Sequence, residues 1–436
     1  MSRPAEENTK HPRGLFVLFS TEMWERFSFY SVDAMLVYYL TAKVQGFGWP
    51  DEDAIALRAN YMMCVYASPL IGGWIADRFW GYRRTVIVGA LFFMAGHSLF
   101  AVHSIGAVYG ALACLVVGNG LFKANVSTMV GNLYSVGSKL KDRAYSIFYM
   151  GINIGAMLGP IVCEIVQPDY GYDRAFNAAA LGMAISVAIL VFFRRDVEDP
   201  QRKSGAGGAP AAPAAPRHPI EDVPPLHRVF ALAAIFIVGI AFWMVFWQNG
   251  STLALWAKNN TDWTLFTDRP VAGMIQAAIN PAFIILFGIP VASLWKRLDR
   301  RGLEPSTPMK MCLGLVCAAA ASAVLWAAAL AGGDAGRVSC LWLIGAYALI
   351  SLGELFLSAM GLSLVSKVAP QQYRGLMMGG WFLSLSLGGK FSGVIGVYWN
   401  QWSHATFFAA LAALSLAAAG VLFVLLRFLR KSMPGV

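Results

Sequence analysis

The sequence predicts an all-α integral membrane protein, with twelve transmembrane helices arranged as two six-helix bundles. Three observations lead there. The 436 residues are 57% hydrophobic and only 13% charged, with a mean hydropathy of +0.56, a balance foreign to ordinary soluble domains. Apolar runs long enough to cross a bilayer, about 20 residues each, recur at 15–42, 54–76, 85–103, 106–130, 143–167 and 174–193. They resume at 227–257, 271–295, 309–332, 339–367, 373–397 and 404–428, which makes six and six. Finally, 25 of the 34 Lys and Arg residues fall in the segments that alternate onto one side, and 6 fall on the other. That bias places both termini in the cytoplasm of a plasma (inner) membrane protein.

The residues before Leu15 are polar and show no charged, apolar, small-residue cleavage pattern, so the first span is expected to be retained as an anchor. The predicted domains are an N-terminal bundle over 1–193, a cytoplasmic linker over 194–226 and a C-terminal bundle over 227–436. The linker contains the run Gly205 to Pro216, rich in Pro, Ala and Gly, which can neither bury a core nor hide another span. The net charge of +10 is scattered over short loops, which argues against nucleic acid as a partner. The six cysteines lie in or beside apolar runs with no CxxC pair, and neither they nor the histidines form a metal-binding or disulfide pattern.

The first span carries the most informative stretch, Glu22-Met-Trp-Glu25-Arg26-Phe27-Ser28-Phe29-Tyr30. Ionisable groups at membrane depth cost several kcal/mol unless they pair or line a wet cavity. On a helix, Glu22, Arg26, Phe29 and Asp33 form one stripe, with Glu25 and Tyr30 beside it. Glu22 precedes Arg26 by four, the favourable order for a helical ion pair. The stripe reads as part of a solute or proton path. Its structural alternative is charge pairing that locks two helices.

Lys123 in the fourth span and Glu354 in the tenth are further charges near mid-span. Lys390 lies nearer the outer end of the eleventh, where snorkelling competes with function. Glu164, near the outer end of the fifth, is expected to reach water. Gly151, Gly155 and Gly159 have the spacing of close helix packing on that fifth span. Gly120-Leu-Phe-Lys123 and Glu354-Leu-Phe-Leu357 are faintly similar, as expected of repeated halves with a binding site near the midplane between them.

Gly72-Gly-Trp-Ile-Ala-Asp77-Arg78, followed by Arg83-Arg84, resembles the loop signature of the major facilitator superfamily. Glu22-x-x-Glu25-Arg26-Phe27-x-Phe29-Tyr30 resembles the ExxERFxYY motif of its proton-coupled oligopeptide transporters, the POT/PTR family. Gly118 to Asn125, Phe148 to Gly155, Gly353-Glu354 to Ser358 with Gly361-Leu-Ser, and Trp381-Phe-Leu-Ser-Leu continue the resemblance. It implies that Arg26 and Lys123 hold a peptide's carboxylate. Glu354, with Asn153 and Asn280, receives the ammonium. Tyr30, Tyr66, Trp243, Ser358 and Trp381 line side-chain pockets, and Glu22 and Glu25 take part in proton coupling. Asp77 and Arg78 serve conformational gating at the cytoplasmic closure.

The chemistry of the residues agrees with that assignment. A zwitterion needs cations at one end and an acid at the other, and aromatic walls accept varied side chains. A simple anion gains nothing from Glu354. The expected activity is proton-coupled import of di- and tripeptides by alternating access. The chain is expected to act as a monomer, with no cofactor beyond the proton gradient and no enzymatic chemistry. The alternatives are transport of another carboxylated metabolite or nitrate, and a non-transporting peptide sensor.

Four departures from the family pattern stand out. Phe29 replaces the first tyrosine of the motif. Asp33 stands where many members carry arginine, and Trp247 stands where they carry an acid, so the family's gate bridge between helices 1 and 7 lacks both partners. The linker is too short for the two extra helices of many bacterial members. One reading has Asp33 take over gating and proton coupling, paired with Lys390 or another outer basic residue. The other leaves it solvated in the outer vestibule.

Overall fold

In a bilayer a backbone must satisfy its own hydrogen bonds, so apolar runs of this length fold as helices. The computed structural model describes residues 11–133, 140–197, 223–266, 274–370 and 374–434. Its helices are α1 (Arg13–Thr41), α2 (Asp51–Ile75), α3 (Tyr82–Leu99), α4 (Ile105–Asn132), α5 (Leu140–Phe192) and α6 (Pro225–Phe246). They continue with α7 (Thr252–Asn259), α8 (Gln276–Asp299), α9 (Thr307–Gly332), α10 (Cys340–Val368), α11 (Arg374–Gly396) and α12 (His404–Ser432).

These elements accommodate the twelve expected spans with two differences. The fifth and sixth spans run together as α5, broken at Gly171, whose φ of 82° suits a residue without Cβ. The seventh span is interrupted: α6 ends at Phe246, a 3-10 turn covers Trp247–Gly250, and α7 follows. Among the described residues, seven helical runs are long and apolar enough to cross a membrane by length and composition alone, including Ile147–Phe192 with 46 residues. The charged stripe keeps α1 out of that set, since a helix that turns ionisable groups toward protein is not apolar on average.

The chain divides into two compact units that cut across α1, α2 and α5. The first comprises Met1–Ser31, Ser68–Gly159 and Phe176–Ala211; the second comprises Val32–Ala67, Pro160–Ala175 and Ala212–Val436. Residues 198–222 of the linker lie outside the described residues.

The first unit is built on close backbone approach. A Cβ on Gly155 would lie 2.1 Å from the Met23 carbonyl oxygen, and one on Gly159 would lie 2.6 Å from that of Phe27, so α5 sits directly on α1. Gly89 and Gly118 likewise face each other's carbonyls where α3 crosses α4. Ser186 donates to the Thr21 carbonyl (2.7 Å) and Ser28 to that of Ala179 (2.7 Å), which fixes the register of α1.

In the second unit Gly314 and Gly353 repeat that mutual contact where α9 crosses α10. Trp256, Trp399, His404 and Phe408 form an aromatic core, with Trp399 stacked on His404 at 4.1 Å. Two-residue strands β1 (Thr261–Asp262) and β2 (Val338–Ser339) pair in parallel.

Candidate functional site

The first unit gathers the charges of α1 with those of α4. Arg26 is 1% exposed and grips Glu25 through two hydrogen bonds, Nε to Oε2 at 2.5 Å and Nη2 to Oε1 at 2.6 Å. The expected pairing of Glu22 with Arg26 is therefore secondary: Glu22 Oε1 lies 3.5 Å from Arg26 Nε. The long guanidinium stem folds back to the adjacent carboxylate because the planar fork matches both of its oxygens. Arg26 Nη2 also donates to Asn119 Oδ1 at 3.1 Å, and the guanidinium lies 4.7 Å from the centre of the Phe29 ring. The residue that replaces the motif tyrosine thus covers the cation with an aromatic face.

Lys123, half-buried one turn beyond Asn119 on the same face of α4, is within Coulombic reach of Arg26, Glu22 and Glu25. Glu22 Oε2 is buried and has no hydrogen-bond partner among the described residues. One guanidinium, one ammonium and two carboxylates make a largely buried cluster that is formally neutral.

The rest of this unit's expected residues make other contacts. Tyr30 meets Phe29 edge to face at 5.2 Å. Asn153 donates to the Tyr149 carbonyl of its own helix at 2.9 Å. Asp77 falls in a π-helical turn over Ala76–Trp80, in which Arg78 is exposed. The side chains of Asp77 and Ser358 lie outside the described residues.

The second unit holds the mid-span acid of α10, Glu354. Glu354 Oε2 accepts from Asn280 Nδ2 at 2.9 Å, and the same nitrogen lies 2.8 Å from Ser351 Oγ. Ser351 and Glu354 are three residues apart on α10, so one face meets Asn280 on α8. Aromatic rings line the same unit: Trp243 lies 6.5 Å from Trp381 and 6.3 Å from Trp247, and Trp381 lies 6.2 Å from Phe236. Tyr66 on α2 stacks at a tilt against Trp247 at 4.9 Å.

Asp33 is also in this unit, and of its two expected environments the structure shows the paired one, with an outer basic residue other than Lys390. It is 8% exposed rather than solvated, and its partner is Arg58 on α2, not Lys390. Arg58 Nε and Nη2 reach its two oxygens at 2.8 and 2.9 Å. Lys390 instead donates to Asn60 Oδ1 at 2.5 Å. Glu164 does not simply reach water either: it accepts from the Ile275 backbone amide at 3.0 Å, just before α8.

Sequence reasoning missed Asn119, Ser351 and Arg58 as members of these clusters. Asn119 and Ser351 carry a readable signal, since each precedes a singled-out charge by one helical turn. Arg58 has none, because it stands near a span end where basic residues are commonplace.

The sequence model of the POT family matches residues 83–207 and 217–410. The chain is 32% identical to a protein named peptide transporter YePEPT of Yersinia enterocolitica, with 88% of each chain covered. It is 30% identical to a di-/tripeptide transporter of Lactococcus lactis subsp. cremoris, covering 98% of this chain and 97% of that one. A crystal structure of a peptide transporter POT mutant in complex with alafosfalin superposes with a TM-score of 0.86 at 30% identity, covering 99% of this chain and 98% of that one. A family model matching well over half of the sequence, supported by relatives alike along nearly their full length, leads to one conclusion: this chain belongs to the POT family, the proton-coupled oligopeptide transporters of the major facilitator fold.

Proposed function

We propose that the protein imports di- and tripeptides across the plasma (inner) membrane in symport with protons, by alternating access. Both termini face the cytoplasm, and the monomer is the working unit. The proton gradient is the only drive, with no cofactor and no covalent chemistry. One observation carries this reading: the neutral cluster of Glu22, Glu25, Arg26 and Lys123 in one unit, and in the other the acid Glu354 held by Asn280.

A peptide carboxylate brought to Arg26 and Lys123 adds one negative charge to a neutral cluster in a medium of low dielectric. A proton taken up with it restores neutrality, so the two arrive together. Glu354, steadied by Asn280, offers the acid that a peptide ammonium needs. Trp243, Trp381, Tyr66 and Tyr30 supply walls for varied side chains. The names of the relatives from Yersinia and Lactococcus support a peptide as cargo.

Within the cluster, Glu22 is the carboxylate assigned to the proton. Both Glu25 oxygens are engaged by Arg26 through two hydrogen bonds. Glu22 keeps Oε2 open to protonation. Glu22→Gln is expected to retain peptide exchange across the membrane within about threefold while gradient-driven accumulation falls about tenfold or more, a loss near 1.4 kcal/mol of coupling. Counterflow and pH-driven uptake, measured side by side in proteoliposomes, check the split.

The proposal as a whole is tested by uptake of labelled dialanine into proteoliposomes under an inward proton gradient, with unlabelled peptide, amino acid and nitrate as competitors. Saturable accumulation, abolished by a protonophore and displaced by peptide alone, is the expected result. Displacement by nitrate, or binding without accumulation, would contradict it.

A further inference from the structure

Arg58 sits in a seat built from three elements of the second unit. Asp33 of α1 holds its Nε and Nη2, its Nη1 donates to the Trp247 carbonyl at 3.1 Å, and the side chain is 1% exposed. Trp247 closes α6 and opens the 3-10 turn that follows, so its carbonyl, which also accepts from Ser251 Oγ at 3.4 Å, lies at the negative end of the helix dipole. Gly250, in the turn that follows, leaves the space for the guanidinium: a Cβ there would lie 2.1 Å from Arg58 Nη2. A second contact has the opposite sign. Glu164 of α5 accepts from the amide of Ile275, the residue that opens α8, where the dipole is positive.

We infer that the extracellular gate of this protein is a pair of charge-to-helix-terminus latches. In one, Arg58, positioned by Asp33, is seated on the carbonyl end of α6. In the other, Glu164 is seated on the amide end of α8. This rests on the transporter reading above, which supplies a reason for the two sequence halves to separate at that end.

The arrangement accounts for the missing bridge between the first and seventh spans. The seventh span contributes a main-chain carbonyl, so no acid is needed at position 247, and the ring at that position is free to stack on Tyr66. The gate charges are all supplied by the first half. Asp33 and Arg58 are positioning residues here. Asp33 fixes the fork so that one N–H points at the carbonyl, and only a guanidinium can serve both at once.

Hydrogen exchange read by mass spectrometry on the full chain in lipid nanodiscs tests the latches without reading transport, so a wrong cargo leaves the result unchanged. Arg58→Gln and Gly250→Ala are expected to speed exchange about tenfold or more at residues 34–41, 51–62 and 252–259, the factor carried by a hydrogen bond to a charged group. Residues 115–126 should keep their wild-type rates. Gly250→Ala removes no charge and displaces the guanidinium by its methyl alone, so it decides the matter if Arg58→Gln exchanges fast throughout. Glu164→Ala is expected to produce the same local effect at 160–167 and 276–282.

The double variant Asp33→Arg with Arg58→Asp keeps an ion pair between α1 and α2 but presents a carboxylate to the Trp247 carbonyl. It should remain fast-exchanging. Wild-type rates in Gly250→Ala, or protection restored by the charge swap, would overturn the inference.

Discussion

Lys123→Gln is expected to lower gradient-driven accumulation of dialanine about a hundredfold, with the protein still folded. The ammonium makes two contributions that glutamine cannot. It balances one of the two carboxylates of α1, and in the proposed cycle it meets the substrate carboxylate as a point charge. Loss of one partner from a desolvated charge pair costs roughly 2–5 kcal/mol, and 3 kcal/mol is already more than a hundredfold. Arg26→Gln should be at least as damaging to uptake, for a compound reason. It leaves Glu25, at 0% exposure, without its bidentate partner, so the fold is weakened along with the site. The two variants therefore separate the contributions: thermal unfolding should distinguish Arg26→Gln from wild type, while Lys123→Gln should show its deficit mainly in uptake. Dialanine amide sharpens the comparison. Wild type should discriminate strongly against it, and Lys123→Gln should lose most of that discrimination.

Gly155→Leu is expected to be among the most disruptive single substitutions in the first unit. Its first added carbon would lie 2.1 Å from the Met23 carbonyl oxygen and 2.8 Å from the Phe27 nitrogen. Both are backbone atoms of α1 and cannot swing aside as a side-chain tip does, so the helices must part. Parting them also disturbs Arg26, whose Cβ lies 3.1 Å from the same point. Overpacking of this kind costs about 3 kcal/mol or more, which corresponds to an apparent melting temperature lower by roughly 5–10 °C. Transport should be lost with it. Gly420→Ala on α12 is the matched control: nothing lies within 4 Å of its added carbon, so unfolding temperature and uptake should both stay at wild type. A Gly155→Leu protein as stable as that control would show that α5 does not rest on α1 as described.

The fold was legible because its signals are long and redundant. Twelve apolar runs and a one-sided distribution of Lys and Arg require no knowledge of side-chain geometry. The spacing of Gly151, Gly155 and Gly159 named the packing face of α5, although α1 as its partner emerges only from the structure. Breaks were harder to read. The stretch around Gly171 looks like a loop between spans, yet helix runs up to it on both sides, and the turn at Trp247–Gly250 lies inside an uninterrupted apolar run.

The site was legible where charge stands against an apolar background, as at Arg26, Lys123 and Glu354. Pairing was not. Arg26 chose the adjacent Glu25 over Glu22 one turn away, because bidentate geometry outweighs helical spacing for so long a side chain. Asp33 is joined to Arg58 across 25 positions, and no local pattern encodes such a contact. Glu164 follows the same rule, since its partner is a backbone amide, which carries no residue identity.

The central claim is that a neutral buried cluster accepts a substrate carboxylate only together with a proton. Proteoliposomes with equal pH on both sides and a pH-sensitive dye inside test it most directly, when dialanine or dialanine amide is added outside at the same concentration. The account predicts that dialanine acidifies the lumen, that the amide does so far less, and that Glu22→Gln abolishes the dialanine signal. Equal acidification by peptide and amide, or an unchanged signal in Glu22→Gln, would contradict it.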